Sequence, residues 1–232
     1  MNRTLATARL HLVNPALSLG IPWFVAGSSF VINLLVWGLT AAGEQPGGGS
    51  TGGLAALYIT VLIVFAQSIT QLLPFAMGLS VTRRTFYLGT AVFAVVQSLL
   101  YGVVLTVLDA IENATGGWGL RLHFWAPGRM DVANPVLQFL VFAGPMLACC
   151  FLGLAFGVVL KRWGQVGLWT TFVGLAFLLG GALALIGYQG AWTSVFDWFR
   201  DTPMLVLAFA VPLAVAAVTG VLGWAGARRV VP

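Results

Sequence analysis

The stretch GLSVTRRTFYLGT, residues 78–90, lies between two long apolar runs and decides how the chain is organised. The run before it, 54–79, and the run after it, 86–108, contain no charged residue. A helix rises about 1.5 Å per residue and needs about 20 residues to cross a bilayer, so each run is long enough to span one. The polar turn between them predicts a short elbow at a membrane surface, with Arg83 and Arg84 in it.

The composition of the whole chain indicates the same class of protein. Of its 232 residues, 59% are hydrophobic and only 7% are charged, whereas a soluble domain carries about 25% charged residues. A water-soluble fold could not hide this much apolar surface, which predicts an all-α integral membrane protein. The formal charge of +5 does not indicate nucleic-acid binding, because the basic residues stand in ones and twos at the ends of apolar runs.

Six apolar runs are long enough to cross a membrane, and together they predict one transmembrane domain over residues 1–232. Their predicted bounds are 21–42, 54–79, 86–110, 135–160, 166–187 and 203–226. Residues 1–20 precede the first span. They carry a polar stripe at helical spacing, formed by Arg3, Thr7, His11 and Asn14. The stripe predicts an amphipathic N-terminal helix that lies on the membrane surface.

The charged residues predict the orientation of these spans. Eight of the 11 basic residues fall on one side of the predicted membrane: Arg3, Arg9, Arg83, Arg84, Lys161, Arg162, Arg228 and Arg229. By the positive-inside rule that side is cytoplasmic, so both termini are predicted inside. All six acidic residues then fall outside: Glu44, Asp109, Glu112, Asp131, Asp197 and Asp201.

The outer segments differ in kind. Residues 44–53, EQPGGGSTGG, predict a flexible linker. Residues 113–134, called the outer segment below, carry aromatic residues suited to a membrane interface, and residues 191–201 predict a short amphipathic helix at the outer surface. Asp109 and Glu112 are three residues apart at the outer end of span 3. We expect them at a solvated helix end, with an acid pair as the alternative.

The sequence carries no pattern typical of an enzyme, a metal centre or a cofactor site. His11 and His123 are predicted on opposite sides of the membrane, so they cannot share a metal. No charged residue lies mid-span, which counts against an ion-coupled carrier, because coupling usually needs ionisable groups at membrane depth. Neutral amides do lie there, at Gln67, Gln71 and Gln97. They predict either hydrogen bonds between helices or a polar lining of a translocation path.

The order of these parts resembles the permease subunit of ABC-2-type transporters. A surface helix and two spans precede a tight basic elbow, four spans follow, and the text SVTRRTFYLGT at 80–90 resembles the elbow of small bacterial permeases of that type. The resemblance implies that motion from ATP hydrolysis enters through elbow residues 80–86. The residues concerned are Ser80, Thr82, Arg83, Arg84 and Phe86. The outer segment is longer than that family leads us to expect.

The same resemblance implies the partners of the chain. We expect an exporter in the bacterial cytoplasmic membrane, in which this chain is not an enzyme and holds no cofactor. A separate ATPase subunit would bind its cytoplasmic face, and a second permease chain, identical or different, would complete the path for an unidentified substrate. The alternative function is a non-transporting scaffold or sensor in a larger complex. In that case Arg83 and Arg84 only hold a loop inside, as Lys161 and Arg162 would.

Overall fold

The computed structural model describes residues 3–40 and 49–228, most of which are helical. The first half of the predicted linker, 44–48, lies outside these residues, as do positions 41–42 of the first predicted span and Arg229. Five helical segments are long and apolar enough to cross a membrane. They are Ala16–Leu39, Ala55–Gly78, Arg83–Ala114, Pro135–Tyr188 and Val206–Ala227. The described chain is therefore all-α in class and compatible with a multi-pass membrane protein.

The individual helices are numbered here in chain order. They are α1 (Arg3–Ala8), α2 (Ile21–Leu39), α3 (Ala55–Gln67), α4 (Leu73–Gly78), α5 (Arg83–Ala114), α6 (Pro135–Tyr188), α7 (Trp192–Asp201) and α8 (Val211–Ala227). Two strands of two residues each, Gly49–Ser50 and Leu122–His123, pair in parallel and tie the chain before α3 to the outer segment.

Helix α6 runs for 54 residues where the sequence predicts two spans, 135–160 and 166–187. A straight helix of that length would measure about 80 Å, more than twice the thickness of the hydrocarbon core. Gly164 interrupts it with φ 65° and ψ −160°, a conformation that glycine alone adopts readily. We refer to residues 135–163 as the first arm of α6 and to residues 165–188 as the second arm.

Three of the apolar segments contain one wide helical turn shortly before a proline. The π-helical turns are Ala16–Gly20, Ser68–Leu72 and Val206–Ala210, and the prolines are Pro22, Pro74 and Pro212. Proline lacks a backbone N–H, and its ring clashes with the carbonyl four residues earlier in a regular helix. The wide turn moves that carbonyl away, so each segment continues as a helix past its proline.

The first arm of α6 forms the centre of the bundle and packs against α3, α5 and α8. Gly153 and Gly157 let α3 approach closely. A Cβ at Gly157 would lie 2.6 Å from the carbonyl oxygen of Ala66, and one at Gly153 would overlap the carbonyl of Leu62. Small residues four positions apart permit such backbone contact between helices. The second arm has mostly exposed side chains, such as Phe177 at 78%.

The N-terminal segment, residues 3–20, differs from the predicted surface helix. Helix α1 lasts only six residues and continues as a 3-10 turn. Only the middle of the polar stripe faces the protein, because Thr7 and His11 are buried, whereas Arg3 and Asn14 at its ends are exposed. The apolar side chains of Leu5 and Val13 are 53% and 73% exposed. The physical reason is that the polar side finds hydrogen-bond partners in the bundle, which leaves the apolar side for the bilayer.

Candidate functional site

The elbow is a tight turn of four residues, 79–82, between α4 and α5. The backbone N–H of Ser80 donates to the carbonyl of Met77 at 3.0 Å. That of Val81 donates to the carbonyl of Ala76 at 3.1 Å. This pair of bonds is the usual closure of a helix C-terminus, with a left-handed residue at the position that Ser80 occupies with φ 62°. Main-chain hydrogen bonds therefore hold the turn. Ser80, and not a glycine, occupies the strained left-handed position.

The basic pair lies in the first turn of α5 and not in the loop. Thr82 caps the helix, because its Oγ1 accepts the backbone N–H of Thr85 at 3.2 Å. A helix N-terminus is partly positive and favours anions, so Arg83 and Arg84 are unfavourable there. Arg83 donates instead to the carbonyl of Arg228, beyond the C-terminal end of α8, at 3.3 Å, while Arg84 is exposed. Departures from local preference of this kind are expected at functional sites.

The N-terminal segment lies directly on α5 next to the elbow. Gly89 makes this possible, because a Cβ there would lie 2.8 Å from the Cβ of Thr7 and 2.9 Å from the carbonyl oxygen of Thr4. The segment and the turn enclose a groove of about 430 Å³, called the elbow groove below. Residues that line it include Arg3, Thr7, Leu10, Ser80, Thr82 and Thr85. Phe86 does not line it, since its side chain is fully buried in the core.

Helix α5 is also tied to the last helix. The hydroxyl of Tyr87 donates to the carbonyl of Gly220 at 2.8 Å. The Tyr87 ring packs edge-on against Trp224, with centroids 5.6 Å apart, and the Trp224 indole supports the guanidinium of Arg228 at 4.8 Å. Together with the bond from Arg83 to Arg228, these contacts join the start of α5 to the end of α8. A displacement of the elbow would therefore reach both the N-terminal segment and α8.

A crevice of about 200 Å³, with mainly apolar walls, lies between the N-terminal segment and α3. The structure brings Gln67 and Gln71 into it, beside the polar side chains of His11, Asn14 and Ser18. The wide turn at 68–72 begins directly after Gln67 and contains Gln71, so it shapes this wall. These two of the three predicted path-lining residues thus share one small, neutral crevice.

Gln97 does not line that crevice. Its side chain is buried at 2% exposure, and its Nε2 donates to the carbonyl of Ser18 at 3.4 Å. The hydroxyl of Ser18 in turn donates to the carbonyl of His11 at 2.8 Å. Gln97 therefore fastens α5 to the N-terminal segment, which is the first of the two roles that the sequence leaves open for these amides.

His11 holds the N-terminal segment against α5. Its ring stacks on Phe93, with centroids 4.6 Å apart, and its Nε2 lies 3.0 Å from the hydroxyl oxygen of Thr90. Burial lowers the pKa of His11 from its ordinary value of 6.5 to about 4, because the charged imidazolium would lose its hydration. His11 is therefore neutral at neutral pH, as this apolar contact requires.

The opposite end of α5 has a different construction. Glu112, expected at a solvated helix end, is fully buried, and Asp109 is 4% exposed. The Glu112 carboxylate accepts the backbone N–H groups of Phe124 and Trp125 at 3.0 and 3.3 Å. It also accepts the indole N–H of Trp118 at 3.0 Å. The expectation is therefore wrong, because the outer segment folds back over the helix end and supplies donors to a buried acceptor.

Two further contacts hold the outer segment in place. The rings of the three residues bound to Glu112 pack against Phe30 of α2, with centroids 5.0 to 5.4 Å apart. Arg129 donates from both guanidinium nitrogens to the carbonyls of Phe199 and Thr202, where α7 ends. A cation at a helix C-terminus is electrostatically favourable. The two outer regions that the sequence treats as separate are thus joined.

No protein-family model matches this chain, and neither does any curated protein or solved structure. Within 3–40 and 49–228, no group of three or more His, Cys, Asp or Glu side chains could hold a metal ion. The elbow carries an accessible groove. The elements that form its walls are joined to the core of the bundle by the contacts described above.

Proposed function

We propose that this protein is the membrane-spanning permease subunit of an ATP-driven exporter of the ABC-2 type. It spans the bacterial cytoplasmic membrane six times with both termini inside, and it exports an unidentified substrate together with a second permease chain. A separate ATPase subunit binds at the elbow, residues 80–86. The observation that carries the proposal is the position of the start of α5, which borders the elbow groove together with the N-terminal segment and is bound to α8 through Arg83 and Tyr87.

Six spans follow if the two arms of α6 cross the bilayer separately. The break at Gly164 comes two residues after the basic pair Lys161 and Arg162, where the positive-inside rule favours a cytoplasmic loop. The contact of Arg83 with Arg228 supports this count. With two separate arms, four crossings lie between these residues and both are on the same side. With a single crossing in α6 there would be three, and the two residues would be on opposite sides.

Helix α5 can act as a lever in this subunit. Its 32 residues correspond to a length of about 48 Å. Glu112 holds its outer end, whereas its inner end borders the elbow groove. A partner that pressed into the groove would move the start of α5, and the contact of Tyr87 with Gly220 would carry the motion to α8. Such coupled helix movements are the usual means of alternating access.

We infer that another chain supplies the energy. This one has no phosphate loop, since its single lysine, Lys161, is followed by an arginine and lies outside any glycine-rich stretch. The arginine pair and the helix N-terminus at the elbow together favour an acidic surface on the partner. A groove of these dimensions beside a positive helix end suits a short helix or loop of an ATPase subunit.

The test is purification of the tagged chain in mild detergent from its native membranes, with mass spectrometry of the chains that stay bound. We expect a stoichiometric subunit with a nucleotide-binding site. The double variant Arg83→Glu, Arg84→Glu should lose it and should lose coupling of ATP hydrolysis to transport. Arg121→Glu, a charge reversal at the opposite membrane side, should retain it.

Two outcomes would contradict the proposal. The first is that the purified chain carries no bound ATPase although the cells express an ATPase together with it. The other is normal transport by a correctly inserted double variant. Either result would favour the scaffold or sensor function.

A further inference from the structure

A second groove, of about 560 Å³, lies between the two arms of α6 and helix α8, away from residues 80–86. It falls within the range of roughly 300–1,000 Å³ that is common for small-molecule sites. All three helices supply apolar wall residues, among them Ala155, Phe156, Val159, Leu175, Leu222 and Gly226. We call it the arm groove.

The arm groove is apolar except at one end. Thr171 and Thr219 direct their hydroxyls to carbonyls of their own helices, at 2.8 and 2.7 Å, so they offer no donor to a ligand. The remaining polar side-chain groups are the indole N–H of Trp163 and the exposed guanidinium of Arg162, which lies 4.4 Å from the ring centroid of Trp163. The groove therefore presents hydrocarbon walls and one cation with an indole beside it.

No carboxylate of the described residues lies near enough to neutralise Arg162. At about 1.5 Å per residue, Arg162 is about 40 Å along α6 from Pro135, which follows the outer segment. The described acidic residues belong to that distant end: Asp109, Glu112, Asp131, Asp197 and Asp201. Lys161 adds a second positive charge next to Arg162. The end of the groove is therefore positive, and its electrostatic complement is an anion.

We propose that the arm groove binds an anionic phospholipid from the membrane leaflet at the Arg162 end. An acyl chain lies along the apolar walls, and the phosphate receives charge-assisted hydrogen bonds from the guanidinium. Basic pockets between membrane helices bind anionic headgroups, and tryptophan settles at headgroup level. The site requires the helices to lie in a membrane but does not depend on the ATPase. With the orientation proposed above, the leaflet is the cytoplasmic one.

The charge requirement is tested with two lipids that have identical acyl chains, phosphatidylglycerol and phosphatidylcholine. Each is added to the detergent-purified protein, and retained lipid is measured by native mass spectrometry. We expect about fivefold more phosphatidylglycerol, which corresponds to about 1 kcal/mol for a basic residue at an anionic lipid surface. Arg162→Gln should clearly lower the preference, because Lys161 is then the one positive charge left at that end. Arg84→Gln, which also deletes an exposed arginine on the predicted cytoplasmic side, should preserve it.

A second variant tests the apolar walls without a change of charge. Ala155→Leu fills the groove and should lower the amount of retained phosphatidylglycerol, whereas Ala182→Leu on the exposed second arm should not. Equal retention of both lipids by the unmodified protein, or an unchanged preference in Arg162→Gln, would overturn the proposal. Isolation of a lipid-free dimer that the Ala155→Leu substitution dissociates would also overturn the proposal. In that case a second copy of the chain would fill the groove. If the ATPase subunit still binds the Arg162→Gln variant, the elbow proposal stands independently of the lipid site.

Discussion

At the outer end of α5, the Glu112 carboxylate is buried and accepts three N–H groups, and the rings of the donors pack on α2. At the inner end, Arg83 and Arg84 lie in an accessible first turn beside a groove of about 430 Å³. Stability within a protein is uneven, and binding regions are drawn from its less stable parts. In the function proposed above, the outer end is the fixed support of the helix and the inner end is the part that a partner moves.

The largest loss of stability should follow from Glu112→Ala. The substitution leaves the buried N–H groups of Phe124 and Trp125, and the partly buried indole N–H of Trp118, without their acceptor. Each buried unsatisfied group costs about 1–3 kcal/mol. We expect a decrease of at least about 3 kcal/mol in the free energy of unfolding, measured by thermal unfolding in detergent. Glu112→Gln keeps one acceptor oxygen and should lose less. Equal stability of Glu112→Ala and the unmodified protein would remove the distinction between the two ends.

Acid should weaken the N-terminal segment through His11. Its pKa is about 4 when it is folded and 6.5 in its ordinary state, so the unfolded segment binds a proton more readily. Stability should therefore decrease as the pH falls from about 6.5 to about 4, by up to about 3 kcal/mol, and level off below that. The measurement is the unfolding temperature against pH. His11→Gln should lack this component, and an identical pH profile in that variant would contradict the assignment.

Gly89→Leu should separate the N-terminal segment from α5 while the outer end stays intact. The new side chain would overlap Thr7 and the backbone of Thr4, and overpacking of this kind costs about 1–3 kcal/mol. Hydrogen exchange should increase in residues 3–18 and remain unchanged around Glu112. Gly78→Leu is the matched control, because a side chain there meets no atom within 4 Å. Faster exchange at the outer end would mean that the two ends are not independent.

The smallest effect on stability should come from Arg83→Ala. It removes one exposed hydrogen bond of 3.3 Å to Arg228, and exposed interactions of this kind contribute less than about 1 kcal/mol. Partner binding, in contrast, should fall clearly if the elbow is a coupling surface. The comparison of unfolding temperature with the yield of bound ATPase separates these effects. A large loss of stability would show that Arg83 is structural.

The position of the elbow could be predicted from the sequence. Charge-free runs on both sides leave only one place for the turn, and spans 54–79 and 86–110 match the helices Ala55–Gly78 and Arg83–Ala114 within a few residues. The location of the basic pair inside α5 was missed. It depends on the single capping bond of Thr82, which composition and hydropathy do not reveal.

Neither the burial of Glu112 nor the direction in which the N-terminal polar stripe faces could be predicted from the sequence. Periodicity tells which residues share a helix face, but not whether that face meets water or a distant part of the chain. For His11 the deciding partner is Thr90, 79 residues away. For Glu112 the sequence offers one signal, an acid followed by Gly116 and Gly117 and then by an aromatic run. In the structure both glycines form the turn with positive φ.

The most direct test of the central claim is photo-crosslinking from the elbow groove in native membranes. A photoreactive amino acid at Thr82, which lines the groove, is compared with the same residue at Tyr188, which is 90% exposed at the predicted outer end. We predict an adduct with an ATPase subunit from Thr82 and none from Tyr188. Absence of that adduct from Thr82 while the ATPase is present, or its formation from Tyr188, would contradict the account.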